Sequence, residues 1–330
     1  MTMSYTRLGR TGLSVSRLCL GTMNFGDRTP EPDAHAILDS AHEHGINLID
    51  TADVYGWTMT KGLTEEIIGR WFAQGGGRRE RTVLATKVYG TMPDLGRENW
   101  PNSGRLSALH IRRGVEASLR RLNTDYIDLY QMHHIDRRTP WEEIWQAMEV
   151  LVAQGKILYV GSSNFAGWHL ATAQAAAERR GLFGLVSEQS VYNLLERAVE
   201  SDLIPSATHH GLGLLPYSPL SGGLLGGILR RTAEGGRRAD PALRQKIESV
   251  REQLTAYEAL AAELGHAPGE LALAWLLHQP AVTAPVVGPG TRAHLDAALA
   301  ALTIELEGPV LDRLDEIFPR RLEAPECYAW

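Results

Sequence analysis

The chain has 330 residues, 44% of them apolar and 22% charged, with a formal net charge of −6. That length exceeds the usual single core, so two domains or one large α/β barrel are expected. The interspersed charges argue against a nucleic-acid surface and give no reason to expect an anionic membrane partner. With only two cysteines, Cys19 and Cys327, a disulfide framework is not expected, and the apolar run around Cys19 suits buried packing. The opening MTMSYTRLGRTG has no hydrophobic signal core, and no run approaches the roughly 18 apolar residues of a membrane span, so a cytoplasmic location is expected.

Residues 1–16 read as a short hairpin around Gly9 and Gly12, placed to plug the bottom of a barrel. Apolar β-rich runs then follow at 17–20, 46–50, 82–88, 127–133, 158–162, 184–189, 212–217 and 283–287. Amphipathic stretches such as LTEEIIGRWFAQGG and PWEEIWQAMEVLVAQGK lie between them, several ending in glycine (Gly45, Gly75, Gly155), as helix C-termini do. Strands alternating with helices indicate a parallel sheet covered on its outside, and eight such units match an α/β fold of the (β/α)8 TIM-barrel type. The alternative is an open doubly wound sheet, which announces itself with G-x-G-x-x-G after the first strand. Here that position holds GTMNFG, with the wrong spacing. One domain spanning 1–330 is therefore expected. Long segments at 89–106, 218–241 and 319–330 are candidates to wall the mouth, the last as a tail over it.

In a barrel, the C-terminal strand ends converge on the active face. Asp50, Lys87 and His133 each close one of three successive apolar runs, and Tyr55 lies just beyond the second strand. Ionisable groups closing buried strands need solvent or each other. An acid, a phenol, an amine and an imidazole at one place can perform proton transfer: a neighbouring ammonium favours phenolate, and the carboxylate keeps the ammonium charged. His133 could hydrogen-bond a substrate oxygen. His134 alternates to the opposite strand face and reads as packing or support.

These motifs resemble the aldo-keto reductases along nearly the whole chain. LIDTADVYG resembles that family's Asp–Tyr motif, LATKV its lysine strand and DLYQMHHID its histidine strand. The resemblance implies NADPH-dependent carbonyl reduction, NADH being the alternative, with Tyr55 as proton donor. It also implies that Ser163, Asn164 and Gln189 hold the nicotinamide carboxamide and that Tyr217 stacks on the ring. Ser218, Leu220 and Gly222 would border the cofactor. The runs GTMNFG, YVGSSNFAGW and GLLGGILR resemble a bacterial branch that reduces nucleotide-linked keto-deoxysugars in antibiotic pathways.

The last strand runs into VVGPGTRAHLDAAL, a glycine-rich turn opening a helix, which suits phosphate. Gly288, Gly290, Thr291, Arg292 and His294 are the candidate contacts there. Many relatives carry polar side chains where Gly290, Ala297, Ala298 and Ile228 stand, so the adenosine end departs from the family pattern. Trp57, Trp100 and Trp330 are substrate-contact candidates, because an indole at a mouth can stack on a sugar or aromatic ring. Trp71, Trp141, Trp145 and Trp275 fall at helical spacing and read as packing residues. The histidines outside these motifs show no metal-ligand pattern, so no catalytic metal is expected. The rival functions are a Schiff-base aldolase or lyase using Lys87, and a non-catalytic nicotinamide-binding partner protein.

Overall fold

The computed structural model describes residues 3–56, 60–92, 100–233 and 241–329, with only the backbone described at 231–233. A small antiparallel ribbon comes first: β1 (Tyr5–Arg7) pairs with β2 (Ser14–Ser16). Eight parallel strands follow: β3 (Cys19–Gly21), β4 (Leu48–Asp50), β5 (Val83–Val88), β6 (Ile127–Met132), β7 (Ile157–Ser163), β8 (Leu185–Gln189), β9 (Gly213–Leu214) and β10 (Val286–Val287). Their spatial order is β10-β3-β4-β5-β6-β7-β8-β9. The two ends of that ladder also meet: Leu214 bridges Val282 in parallel, and the Val286 amide donates to the Pro216 carbonyl at 2.7 Å. The architecture is a (β/α)8 barrel. All eight expected strands are present, each except β7 shorter than its apolar run, and the last two only two residues long.

Helices fill the connections. They are α1 (Glu31–Glu43), α2 (Leu63–Ala73), α3 (Ala108–Leu122), α4 (Trp141–Ala153), α5 (Gly167–Glu178), α6 (Leu203–His209), α7 (Ile228–Ala233), α8 (Pro241–Ser249), α9 (Arg251–Glu263), α10 (Pro268–His278), α11 (Arg292–Ala300), α12 (Gly308–Ile317) and α13 (Glu326–Ala329). The reason they cover the sheet is visible in α3, whose Ile111, Val115, Leu119 and Leu122 repeat every three or four residues and are buried. Ser107 caps its start by accepting from the His110 amide at 3.3 Å. Trp71, Trp145 and Trp275 are fully buried in such helices, and Trp141 packs against the cluster that holds Trp145 and Trp275.

The barrel interior is a separate apolar layer in which Cys19, Leu48, Ala85, Leu129 and Val186 meet Leu8 and Val15. Leu8 and Val15 bring the N-terminal ribbon under the barrel. The ribbon's tip is held there by the Arg10 amide donating to the Gly211 carbonyl at 2.8 Å. At the chain's other end, the Ala324 amide donates to the Ser201 carbonyl at 2.7 Å, which fastens the tail to the segment following β8. Among the described residues no helix is long and apolar enough to cross a membrane.

One irregularity governs the site. Between β7 and β8 the pairing passes from Val160↔Leu185 to Ser162↔Glu188, so β8 carries one extra residue. A bulge of one residue exchanges the two faces of everything beyond it. Val186 faces the interior layer, so regular alternation would turn Glu188 inward. The bulge turns Gln189 inward instead and leaves Glu188 behind the wall.

Candidate active site

Strand register sets the site. Asp50 pairs with Ala85 across β4 and β5, and Lys87 pairs with Gln131 across β5 and β6. Side chains two residues apart share a strand face, so Asp50, Lys87 and Gln131 all point into the same end of the barrel. Lys87 is completely buried, and its ammonium donates to Asp50 Oδ2 at 2.6 Å, to the Thr51 carbonyl at 2.9 Å and to the Tyr55 hydroxyl at 3.1 Å. Asp50 Oδ1 accepts two amides, from Gln131 at 3.0 Å and from Gln189 at 2.8 Å. The acid, amine and phenol expected to act together therefore form one hydrogen-bonded chain.

His133 follows β6, its amide donating to the Val88 carbonyl at 3.0 Å. Its ring meets the Tyr55 ring edge-on with centroids 6.0 Å apart. His134 does not turn away as strand alternation predicts. The strand stops at Met132, and beyond it the His134 ring lies parallel to that of His133 at 4.9 Å. The exposed His134 ring, with Tyr89 edge-on at 5.2 Å, thus stands next to the site.

The electrostatics assign proton states. Burial alone would lower the Lys87 ammonium, but Asp50 and Tyr55 raise it above its ordinary value, so it stays charged. For Tyr55, burial raises the phenol and outweighs the lowering by Lys87. The expectation that the lysine would pull this phenol down thus gives only one of two opposing effects, and desolvation is the larger. His133 is lowered to about 2 by burial, then by the charge of Lys87, so its imidazole is neutral in ordinary buffers.

A second constellation lies on the neighbouring strands. Asn164, in the left-handed conformation at φ 60°, donates to the His133 carbonyl at 3.0 Å and accepts from the Tyr217 hydroxyl at 2.9 Å. Its own amide donates to the Gln189 carbonyl at 3.0 Å. Ser163 and Gln189 are buried and paired across β7 and β8. Past β9, Ser218 and Gly222 are exposed and Leu220 is partly buried, in a turn where Gly222 and Gly223 hold positive φ. Following β10, Gly288 and residues 291–294 are exposed, and Thr291 caps α11 through the His294 amide at 3.3 Å. Gly290 is half-buried. Ile228 and Ala298 are packed into the core, so neither offers a polar group.

These residues suit a nicotinamide dinucleotide. The half-exposed Tyr217 ring stands beside side-chain amides that can pair with a carboxamide. The Arg292 and Ala293 amides, ahead of the capped His294 amide at the start of α11, and the exposed Arg292 side chain suit phosphate. Among the described residues no group of three His, Cys, Asp or Glu could hold a metal ion. Of the three tryptophans expected near substrate, Trp100 is exposed, whereas Trp57 and Trp330 lie outside the described residues. Sequence reasoning missed Gln131 and Glu188. Gln131, a buried polar side chain in IDLYQM, was the one with a readable signal, whereas Glu188 stands among polar neighbours in LVSEQ.

A barrel that gathers a buried lysine–aspartate–tyrosine chain, a neutral histidine and a phosphate-suited helix start at its C-terminal end defines a barrel oxidoreductase. The sequence profile of the Aldo/keto reductase family matches residues 17–318, and the chain belongs to that family. It is 54% identical over 330 residues to the uncharacterized oxidoreductase YrpG of Bacillus subtilis, covering 99% of this chain and 100% of that protein. It is 34% identical to the versiconal hemiacetal acetate reductase of Aspergillus parasiticus, covering 95% of this chain and 96% of the reductase. A probable voltage-gated potassium channel subunit beta of Arabidopsis thaliana is also 34% identical, over 99% of this chain and 100% of that protein.

Proposed function

We propose that the protein is an NADPH-dependent carbonyl reductase acting on a bulky ketone, such as the keto group of a nucleotide-linked deoxysugar or another secondary metabolite. The observation that carries this reading is the three-way hydrogen bonding of Lys87 to Asp50, Thr51 and Tyr55. A reduced nicotinamide supplies hydride to the carbonyl carbon when bound. Tyr55 delivers the proton to the carbonyl oxygen, so that one hydride and one proton convert C=O to CH–OH. Burial keeps that proton on Tyr55 until it is needed, and Lys87 stabilises the phenolate left behind. Asp50 holds Lys87, while neutral His133 orients the substrate oxygen. Ser163, Asn164 and Gln189 would hold the carboxamide and Tyr217 the ring, Gly288, Gly290, Thr291, Arg292 and His294 would bind the adenosine phosphates, and Ser218, Leu220 and Gly222 would border the cofactor. The tail at 319–329 and Trp100 would border the substrate. The likeness to a reductase acting on versiconal hemiacetal acetate supports a bulky substrate.

A Schiff base on Lys87 is disfavoured, because an ammonium with three acceptors and a raised pKa has no free electron pair. The decisive test is fluorescence titration with NADPH and with NADH, followed by a carbonyl panel that includes keto-sugar nucleotides. Tighter NADPH binding with turnover of a bulky ketone is expected. Comparable or tighter NADH binding would overturn the NADPH preference, and no turnover across the panel would overturn the reductase assignment.

A further inference from the structure

Glu188 is an ionisable residue inside a barrel strand, fully buried, and among the described residues no cation is in its polar contacts. The bulge in β8 places it behind the wall, where its carboxylate gathers donors from β7, from the loop after β7 and from the residue after β8. Ser190 donates to Oε1 at 2.5 Å and the Phe165 amide to the same oxygen at 3.1 Å, while Ser162 donates to Oε2. These contacts bracket Ser163, Asn164 and Gln189 from behind. Tyr217, joined to Asn164, carries the carboxylate's influence: Glu188 helps to raise that phenol, second to burial. Nothing in the proton-transfer chain needs an acid here, and a buried carboxylate without a cation is costly to keep.

We propose that Glu188 is a positioning residue whose buried charge sets the balance between oxidised and reduced nicotinamide at the Asn164–Gln189–Tyr217 face. This rests on the reading of that face as the nicotinamide site. The oxidised ring carries a positive charge and the reduced ring none, so a carboxylate behind the ring's partners favours the oxidised form. Across a partly desolvated region one such charge is worth roughly tenfold in relative affinity. Burial pushes the Glu188 carboxyl up to about 7, against the hydrogen bonds from Ser162 and Ser190, so the charge is present above neutrality and lost below it.

The groups around Glu188 leave that titration isolated. From β7 and its loop come Ser162 and the Asn164 and Phe165 amides, from just past β8 Ser190, and from the segment after β9 Tyr217, whose raised phenol stays neutral. On the α5 side, His169 accepts from the Ala166 amide and Asp202 from the Gly167 amide. His133, His134 and His169 are all lowered by burial and do not gain charge above pH 6.5.

The test is the ratio of NADP+ to NADPH affinity, measured by fluorescence titration between pH 6 and 8.5. Ionisation of the adenosine phosphate cancels in that ratio. The unmodified protein should shift toward NADP+ by roughly tenfold as pH rises through about 7, and Glu188→Gln should give a flat ratio. Gln keeps the shape, and its amide can donate to Ser162, so loss of the clamp alone would not flatten the curve. Ser162→Ala removes a donor to the carboxylate, raises its proton affinity and moves the transition to higher pH. Parallel curves for the unmodified protein and Glu188→Gln, or an unmoved transition in Ser162→Ala, would overturn the proposal. A flat ratio with both forms bound overturns only this inference. Failure of the unmodified protein to bind either form overturns the nicotinamide reading as well.

Discussion

Replacing Lys87 with Met separates the structural role of the central ion pair from its chemical one. The lysine and Asp50 side chains are 0% and 2% exposed and 2.6 Å apart, so removing the ammonium strands a carboxylate in the barrel. Breaking a buried pair from one side costs about 3–5 kcal/mol. Gln131 and Gln189 still donate to Asp50 Oδ1, which places the loss near the lower figure, about 3 kcal/mol at pH 7. The double variant Asp50→Asn/Lys87→Met has no stranded charge and should return to within about 1–2 kcal/mol of the original. Carbonyl reduction should be lost in both, since neither retains a cation beside Tyr55. Urea unfolding at pH 7, followed by fluorescence, gives the stabilities, and single-turnover oxidation of NADPH gives the chemistry. If Lys87→Met is as stable as the parent, the buried-pair argument is wrong. If the double variant still reduces a ketone at the parent rate, so is the role given to Lys87.

Tyr55→Phe removes one hydroxyl that accepts from Lys87, so stability should change by about 1 kcal/mol while the reduction rate falls by roughly 10²–10⁴-fold in single-turnover measurements. Glu188→Gln should be more stable than the parent at pH 8. Its folded-state pKa of about 7 lies above its ordinary 4.5, so the stabilising contribution is full below 4.5 and lost as pH rises through 7. That difference amounts to about 3 kcal/mol at pH 8 and should vanish near pH 4 in denaturant titrations. Gly69→Ala tests the contact of α2 with α3, because a Cβ there would lie 2.1 Å from the Arg121 carbonyl oxygen. The backbone clash should outweigh the ~1 kcal/mol gain in helix propensity and lower the melting temperature. His133, lowered to about 2, should contribute no imidazole limb to the pH–rate profile between pH 5 and 9. A limb near 6.5 that disappears in His133→Asn would contradict that proton state.

The fold follows from features that one strand shows by itself: a continuous apolar run, a polar residue closing it, a helix of period 3.6 beyond. Asp50, Lys87 and His133 are readable for this reason, since each ends a run whose length marks the barrel's C-terminal face. The bulge in β8 is a relation between two strands, and nothing in GLVSEQS marks the extra residue. Alternation carried through that run turns Glu188 toward the cavity and Gln189 out of it, the reverse of what is found. His134 is misplaced by the same assumption, applied past the point where the strand has ended. The direction of the Tyr55 shift also lies beyond a one-dimensional reading: the spacing shows that Lys87 is near but not how little water remains.

The measurement that bears most directly on the account is transfer of label from the cofactor. With NADPH deuterated on the transferred position and a ketone substrate, the product alcohol should carry one deuterium on its carbinol carbon, in step with loss of reduced-nicotinamide absorbance. The same experiment with Tyr55→Phe should show that transfer slowed while cofactor binding persists. Unlabelled product, or borohydride trapping of substrate on Lys87 without oxidation of the cofactor, would contradict hydride transfer at this site.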